Sequence, residues 1–170
     1  MALSKAFDEI WGMSGGETPR AGFEALTEWM ASTPPSEFSR RQQAAEAAFR
    51  QLGITFAVYG ESEAAERIIP FDIIPRVFTA REWRRLTTGL EQRVLAINAF
   101  LRDVYGKRQI IADGVVPAEL ILRNPQFLTQ MAGAKPPHGI FAHICGIDLV
   151  RTGPDDFWVL EDNARTPSGV

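Results

Sequence analysis

The chain has 170 residues, of which 45% are hydrophobic and 23% are charged, and its formal net charge is −3. This length and composition fit one globular domain, or part of a larger one, and exclude a disordered or fibrous protein. Lysine and arginine are not concentrated in one stretch, so we expect no nucleic-acid partner. A single cysteine excludes an internal disulfide framework. No apolar run is long enough for a membrane span or a signal peptide, so we expect a cytoplasmic protein without a membrane partner.

The first half of the chain predicts two helices followed by extended segments. Residues 1–35 are expected to form a loosely ordered leader with one short helix, because glycine and proline pairs bracket a single helical apolar repeat. The core, 36–170, begins with a second helix that has one apolar side and ends at Gly53. Residues 54–59 are rich in β-branched and aromatic side chains and predict a buried strand, whereas the prolines in 67–76 allow only an extended segment.

The second half predicts one long helix and several short elements. Apolar side chains recur at helical spacing from Thr79, which is expected to cap the helix, to Gly106. A short strand is predicted at 109–112, and helical segments are predicted to begin at Pro117 and at Asn124. Together these elements indicate an α/β (α+β) fold of mixed helices and a partly antiparallel sheet.

Two strand-like runs separated by hairpin-forming residues close the chain: 143–151 and 157–163. If Thr152 pairs with Phe157 across a tight loop, Asp148 lies directly opposite Glu161, with their Cβ atoms about 5 Å apart. Like charges at that distance repel.

Strand alternation puts Asn163 and Arg165 on the same face as Asp148 and Glu161. The opposite face, which we expect to be mostly core, carries Trp158, Leu160 and Asp162. Two carboxylates and an amide oxygen are hard ligands suited to Mg²⁺, which takes its other ligands from water and substrate phosphates. A polar hairpin face with a coincidental register explains the same spacing, and on the residues alone both interpretations stay open.

Longer motifs carry a family resemblance that covers nearly the whole chain. The Glu-Asp-Asn triplet within 159–169 resembles the strand-to-loop signature of ATP-grasp ligases. Gly-Ile-Thr-Phe at 53–56, Pro-Phe-Asp at 70–72 and Gly-Ile-Asp-Leu-Val-Arg at 146–151 closely resemble the circularly permuted (type 2) ATP-grasp proteins related to glutathionylspermidine synthase. The resemblance implies that the chain is the N-terminal portion of an ATP-grasp domain, an incomplete part whose partner is the rest of that fold.

The resemblance also implies a chemistry and a ligand set. In that family pattern, Asp148, Glu161 and Asn163 would hold the Mg²⁺ that bridges the phosphates of ATP. ATP would phosphorylate a small carboxylate substrate, and an amine would then displace phosphate from the acyl-phosphate.

Charge that develops during phosphoryl transfer is usually neutralised by a positioned arginine as well as the metal. Arg165 is the first candidate for this catalytic role and Arg151 the second. The assignment rests on position, because proteins related to glutathionylspermidine synthase place an arginine two residues before the metal-binding aspartate, where this chain has Gly146.

Four further residues are candidates for substrate binding. Arg67 and Arg76 flank Asp72 and could clamp a carboxylate by bidentate hydrogen bonds, although a structural ion pair explains the same pattern. Ser168 and Gly169 could offer a hydroxyl and backbone N–H groups to a substrate carboxylate, and a plain turn is the alternative.

In the permuted family, the lysines that hold ATP follow the Glu-x-Asn strand, and this chain ends at Val170. We therefore expect ligase activity from a full-length protein and none from the 170-residue chain alone. One alternative function is a non-catalytic interaction or substrate-recognition module that has lost the nucleotide lobe. Another is a metal-dependent phosphohydrolase that uses the same three ligands.

Overall fold

Helices and short antiparallel strands alternate along the chain in the computed structural model. The structure describes residues 7–12, 16–57 and 66–167, of which the side chains of 55–57 and 66–68 are excepted. The chain divides into two units, Met1–Thr79 and Ala80–Val170. The mixed fold class with antiparallel sheet is confirmed. The predicted division into a leader and a core stays a prediction.

The first unit contains the two predicted helices and a small sheet. Its elements are α1 (Glu24–Ser32), α2 (Pro35–Leu52), β1 (Thr55–Ala57) and β2 (Glu66–Ile68), with β1 and β2 antiparallel. Gly53 ends α2 as predicted: its φ of 66° is left-handed, and its N–H donates to the carbonyl oxygens of Phe49 and Arg50. Residues 58 and 59 of the predicted strand lie outside the described residues. Among the described side chains of this unit, Phe23 is the most deeply buried, at 2% exposure.

The second unit contains the long predicted helix and the C-terminal hairpin. Its elements are α3 (Ala80–Val104), α4 (Gln109–Ala112), α5 (Ala118–Leu122), β3 (Gly146–Arg151) and β4 (Phe157–Asn163). The helices and hairpin are connected by turns, and single 3₁₀ turns occur at Thr129–Met131 and Pro137–Gly139. Among the described residues, no helix has the length and hydropathy that crossing a membrane requires.

Two local predictions in this unit are wrong. Residues 109–112 form a helical turn because the Asp103 carboxylate accepts from the N–H groups of Gln109 and Ile110, both at 2.9 Å, and so caps a helix start. This capping outweighs the strand preference of the two isoleucines there. Asn124 starts only a turn, in which its side-chain oxygen accepts from the Gln126 N–H at 2.9 Å.

Arg151 anchors the turn end of the hairpin to the first turn of α3. Its guanidinium forms an ion pair with Glu82, and their side chains are only 3% and 8% exposed. Nε of Arg151 also donates to the Gly153 carbonyl oxygen at 3.1 Å, and the guanidinium carbon lies 4.9 Å from the centre of the Phe157 ring. A buried arginine in such contacts holds the hairpin turn in one position.

Asn98 anchors the other end of the hairpin. The Asn98 side-chain oxygen accepts from the N–H groups of Phe141 and Ala142 at 2.8 and 3.0 Å, and its amide nitrogen donates to the Ala142 and Val94 carbonyl oxygens. Asn98 is 7% exposed, so these bonds are largely shielded from water. The segment that leads into β3 is thereby fixed to the middle of α3.

A third attachment joins Arg93 of α3 to Asp162 of β4. The guanidinium donates to both carboxylate oxygens, at 2.7 and 2.6 Å. This hydrogen bonding, together with the charge of Arg93, holds the pKa of Asp162 below its ordinary value. Asp162 therefore stays ionised and bound to the helix across the physiological pH range.

Substitution of Asn98 by alanine is expected to destabilise the chain by about 1–3 kcal/mol, because two backbone N–H groups lose their acceptor in a shielded position. Urea unfolding of the variant measures the change. The matched control is Gln92→Ala, an exposed polar truncation on the same helix, which should change stability by less than about 0.5 kcal/mol. Equal effects of the two substitutions would show that Asn98 is not an anchor.

Substitution of Arg93 by glutamine is expected to lower the unfolding temperature most near neutral pH and least in acid. The pKa of Asp162 is lowered in the folded state, so the pair contributes fully above the ordinary value of 3.8 and loses its contribution as the pH falls through the folded value. Thermal melts over that range test this, with Arg123→Gln as a control at an exposed arginine. A difference in unfolding temperature between Arg93→Gln and the unsubstituted chain that grows in acid would contradict a stabilising Arg93–Asp162 ion pair.

Candidate metal site on the hairpin

The hairpin brings together the three residues that the sequence singles out. Asp148 and Glu161 are direct partners across β3 and β4, and Asn163 pairs with Gly146, two residues before Asp148. The Asn163 side-chain nitrogen, Nδ2, donates to Asp148 Oδ2 and to Glu161 Oε1, both at 3.0 Å. One amide thus lies within hydrogen-bonding distance of both carboxylates, on the exposed face of the hairpin.

The register that produces this cluster differs from the predicted one at the turn. Arg151, not Thr152, pairs with Phe157, so every pair near the loop is shifted by one residue. A β-bulge at Leu160 adds one residue to β4, and beyond it the predicted pairing of Asp148 with Glu161 is restored. The predicted pair is confirmed, whereas the predicted turn register is wrong.

The face that carries the cluster is also less polar than predicted. Trp158 pairs with Val150 on the same face as Asp148 and is 65% exposed, and Leu160, at the bulge, is 68% exposed. The prediction that Trp158 and Leu160 point into the core is therefore wrong. The bulge and the shifted turn place both side chains on the exposed side of the hairpin. Asp162 does point the other way and reaches Arg93.

The donor set fits a hard divalent cation. Two carboxylates and one amide oxygen supply part of the oxygen shell that Mg²⁺ prefers, and leave positions for water and phosphate oxygens. The Asn163 NH₂ group now lies between the carboxylates, and half a turn about the last side-chain torsion would present its oxygen instead. The described residues contain no group of three or more His, Cys, Asp or Glu side chains that could hold a metal, so a metal here depends on that amide.

Gly146 leaves space beside the cluster of Asp148, Glu161 and Asn163, because it has no side chain. A Cβ atom at this position would lie 3.2 Å from Cβ of Pro167 and 3.5 Å from Cβ of Asn163. A larger residue would therefore press on both Asn163 and the segment that follows β4. The absence of a side chain at Gly146, where related proteins were expected to carry arginine, allows Pro167 to approach the strand.

The candidate arginines of this unit occupy different environments. Arg151 lies on the opposite face of β3 from Asp148 and is committed to Glu82, so the structure does not bring it to the carboxylates. Arg165 is exposed, two residues beyond Asn163, and lines a cleft that Asn163 also borders. Of the two, Arg165 is the one near the cluster.

Four candidate substrate residues lie outside the hairpin: Arg67 and Arg76 in the first unit, and Ser168 and Gly169 after β4. Arg76 forms an ion pair with Glu9, with 3.3 Å between Nε and Oε1, rather than with Asp72. Arg67 belongs to β2, where it pairs with Phe56 in the ladder, and its side chain is outside the described part. Ser168 and Gly169 also lie outside the described residues, so their roles stay predictions.

Sequence reasoning missed the residues that hold the hairpin on α3. Glu82, Arg93 and Asn98 are polar, yet Glu82 and Asn98 are buried and Arg93 faces the hairpin. The available signal was position: Glu82 and Arg93 fall on the helical stripe that also contains Leu86 and Leu90. A charged residue within an apolar stripe needs a partner, and each of the two has one on the hairpin.

The model of a protein family described as circularly permuted ATP-grasp type 2 matches residues 75–170, more than half of the chain. The chain belongs to this ATP-grasp family. The ATP-grasp resemblance and the assignment as part of such a fold are thereby confirmed. The relation to glutathionylspermidine synthase stays a prediction.

Curated relatives match almost the whole ATP-grasp chain. An uncharacterised protein of Synechocystis sp. is 43% identical over 164 residues, which is 96% of this chain and 34% of the relative. An uncharacterised protein of Mycobacterium tuberculosis is 42% identical over 165 residues, 97% of this chain and 29% of the relative. A Frankia casuarinae protein named "Putative glutamate--cysteine ligase 2-2" is 41% identical over 164 residues, 96% of this chain and 18% of the relative. The chain thus spans about a third or less of these relatives.

Glu161→Gln is expected to raise the unfolding temperature of the metal-free ATP-grasp chain, because it removes a like charge directly opposite Asp148. The same change should abolish the rise in unfolding temperature that Mg²⁺ gives the unsubstituted chain. Thermal melts in EDTA and in magnesium measure both effects. Glu91→Gln, an exposed change on α3, is the control and should leave the magnesium response intact. If magnesium still raises the unfolding temperature of Glu161→Gln, the metal does not bind at these hairpin residues.

Proposed function

We propose that the chain supplies the magnesium-binding hairpin of an ATP-dependent carboxylate–amine ligase. The observation that carries this proposal is the convergence of Asp148, Glu161 and Asn163 on one exposed hairpin face in a member of the ATP-grasp family. The name of the Frankia relative, a glutamate–cysteine ligase, supports joining of a carboxylate to an amine. The relatives are longer than this chain, so the complete activity belongs to a complete protein of that kind.

The reaction proposed for the complete protein has two displacement steps. In the first, an oxygen of the substrate carboxylate attacks the γ-phosphorus of ATP, the bond to the β,γ-bridging oxygen breaks, and ADP leaves. In the second, the amine nitrogen attacks the acyl carbon of the acyl-phosphate, the carbon–oxygen bond to phosphate breaks, and the amine loses a proton. An amide, ADP and phosphate result.

The hairpin residues would position the reacting groups for the first step. Asp148 and Glu161 would provide the two anionic ligands, and Asn163 a neutral oxygen. Bound magnesium would supply charge neutralisation for the phosphate oxygens as the anionic carboxylate approaches them. Because the three side chains come from paired strands with fixed backbone hydrogen bonds, their spacing changes little on binding.

Arg165 is the proposed arginine for the transferred phosphoryl group. It is exposed and follows the last ligand by two residues, so its long side chain can reach a ligand bound at the cluster. Arg151 is not assigned this role, because its burial against Glu82 keeps it on the other face of the hairpin. Arg151 instead positions the hairpin.

Titration calorimetry of the 170-residue chain with a non-hydrolysable ATP analogue tests the proposal. We expect binding that requires Mg²⁺ and that is lost in Asp148→Asn, since one of the two anionic ligands is then neutral. The matched control is Glu119→Gln at an exposed position of α5, which should bind as the unsubstituted chain does.

Two outcomes would count against the ligase proposal. Absence of magnesium-dependent binding would favour a non-catalytic interaction module that lacks nucleotide affinity. Binding that is equally strong in Asp148→Asn and in the unsubstituted chain would place the nucleotide elsewhere.

A further inference from the structure

A cleft with a volume of about 570 Å³ opens beside the metal-ligand cluster. Part of its lining is apolar and comes from α3 and from the segment between α5 and β3, with Ile97, Leu128 and Phe141 among the residues. The rest comes from Gln126 and from residues 162–166, which include Asn163. Clefts of roughly 300–1,000 Å³ with a mostly apolar lining and a few polar groups hold small molecules in many proteins. The cleft therefore has the size and lining of a ligand site.

The aromatic part of the cleft is held in place before any ligand arrives. Tyr105 stacks on Phe127 and on Phe141, with ring centroids 4.9 and 5.9 Å apart and ring planes inclined by 14° and 13°. The Tyr105 hydroxyl accepts from the Leu128 N–H at 3.2 Å, which fixes the same wall to the loop. Rings restrained in this way lose little freedom on binding, so they favour a flat or bulky apolar group.

The charged residues that line the cleft are Arg165 and Asp162. Arg165 lines it and, within the part of the chain that the structure describes, makes no ion pair. Asp162 lines it too, but both of its oxygens are bound by Arg93. The uncompensated group at the polar end is therefore a guanidinium, which matches a carboxylate.

A second cleft, of about 540 Å³, lies between α3 and the inner face of the hairpin and differs in this respect. Two arginines line it, Arg85 and Arg93, and they are paired with Asp155 and Asp162 respectively. Each of the two arginines that line it already contacts a carboxylate of the protein, with Asp155 shared between Arg85 and Arg81, so neither is as open to an anionic ligand as Arg165. The cleft at Asn163 and Arg165 is the better match to a carboxylate.

We propose that the cleft at Asn163 and Arg165 binds the body of the carboxylate substrate, which is a carboxylic acid with an aromatic or similarly large apolar group. The apolar group would lie against Ile97, Leu128 and Phe141, and the carboxylate would lie at the Arg165 end. This inference rests on the proposed function and gives its substrate class. At that end the carboxylate is next to Asn163, where the phosphate to be attacked would be held.

Ligand binding by the 170-residue chain tests the substrate class with 3-phenylpropionate as the probe, measured by NMR titration with magnesium present. Propionate lacks the ring, 3-phenylpropanamide lacks the charge, and adenosine reports a nucleoside site. For a probe of this size we expect a dissociation constant on the order of 1 mM. Propionate and the amide should each bind about tenfold more weakly.

Substitutions separate the two halves of the cleft. Arg165→Gln should remove the preference for 3-phenylpropionate over its amide, and leave binding of the amide unchanged. Leu128→Asp places a charge against the ring and should weaken 3-phenylpropionate at least about tenfold. Its matched control is Leu95→Asp, an exposed leucine on α3 that does not line this cleft and should have no effect.

Glu161→Gln separates this inference from the proposed function. It should retain 3-phenylpropionate binding while losing magnesium-dependent nucleotide binding. If the unsubstituted chain binds 3-phenylpropionate but no nucleotide, the ligase proposal is overturned and the cleft assignment stands.

Three results would overturn the cleft assignment. One is that 3-phenylpropionate binds no more tightly than propionate. Another is that Leu95→Asp weakens the probe as much as Leu128→Asp does. The third is that adenosine binds in competition with, and more tightly than, 3-phenylpropionate, because the cleft would then be a nucleoside site. Arg165 is exposed, so Arg165→Gln keeps the test valid if Leu128→Asp fails to fold.

Discussion

The ion pair between Arg151 and Glu82 determines how the hairpin sits on α3, and the candidate metal site follows from that arrangement. Both side chains are almost fully buried, so removal of either partner would leave an uncompensated charge, at a cost of about 3–5 kcal/mol. Arg151 points towards α3, and because side chains alternate along β3, Asp148 points outward. With Asn98 and Arg93 attached further along the hairpin, the helix supports a rigid platform. Asp148 and Glu161 are exposed because the alternate residues of the hairpin, among them Arg151 and Asp162, are bound to α3.

The bulge at Leu160 is the second feature on which the site depends. Without the extra residue, the pairing set at the turn would bring Leu160 opposite Asp148. With it, Glu161 takes that position and Asp162 turns towards Arg93. Bulges are frequent beside functional sites, where they redirect side chains. Here one inserted residue provides both a pair of outward carboxylates and an inward attachment to the helix.

Much of the fold and the centre of the site were predictable from the sequence, because they depend on local patterns. The apolar repeat gave α3, Gly53 gave the end of α2, and spacing across the hairpin gave the pair Asp148 and Glu161. Strand alternation placed Asn163 on the same face, and the family resemblance implied one shared role for the three residues. The helix and its end need only neighbouring residues, whereas the predicted pair came from a turn register that the structure does not have and is restored by the bulge.

The features that could not be predicted depend on longer-range contacts or on competing local interactions. The facing of Trp158 depends on a bulge, which strand alternation does not reveal. The helical turn at 109–112 depends on the Asp103 side chain, which caps it from outside the segment. The burial of Arg151 depends on Glu82, distant in sequence, and this contact is what distinguishes it from Arg165.

The central claim is that a divalent cation binds among Asp148, Glu161 and Asn163. Side-chain amide NMR with Mn²⁺ as a paramagnetic substitute for Mg²⁺ tests it most directly, because relaxation near the ion broadens a signal steeply with proximity. We expect the Asn163 NH₂ signals, which lie between the two carboxylates, to broaden at a lower Mn²⁺ concentration than those of Asn98, whose amide is bound to Ala142. Excess Mg²⁺ should restore the Asn163 signals. An Asn163 signal that stays as sharp as that of Asn98 throughout the titration would contradict the site.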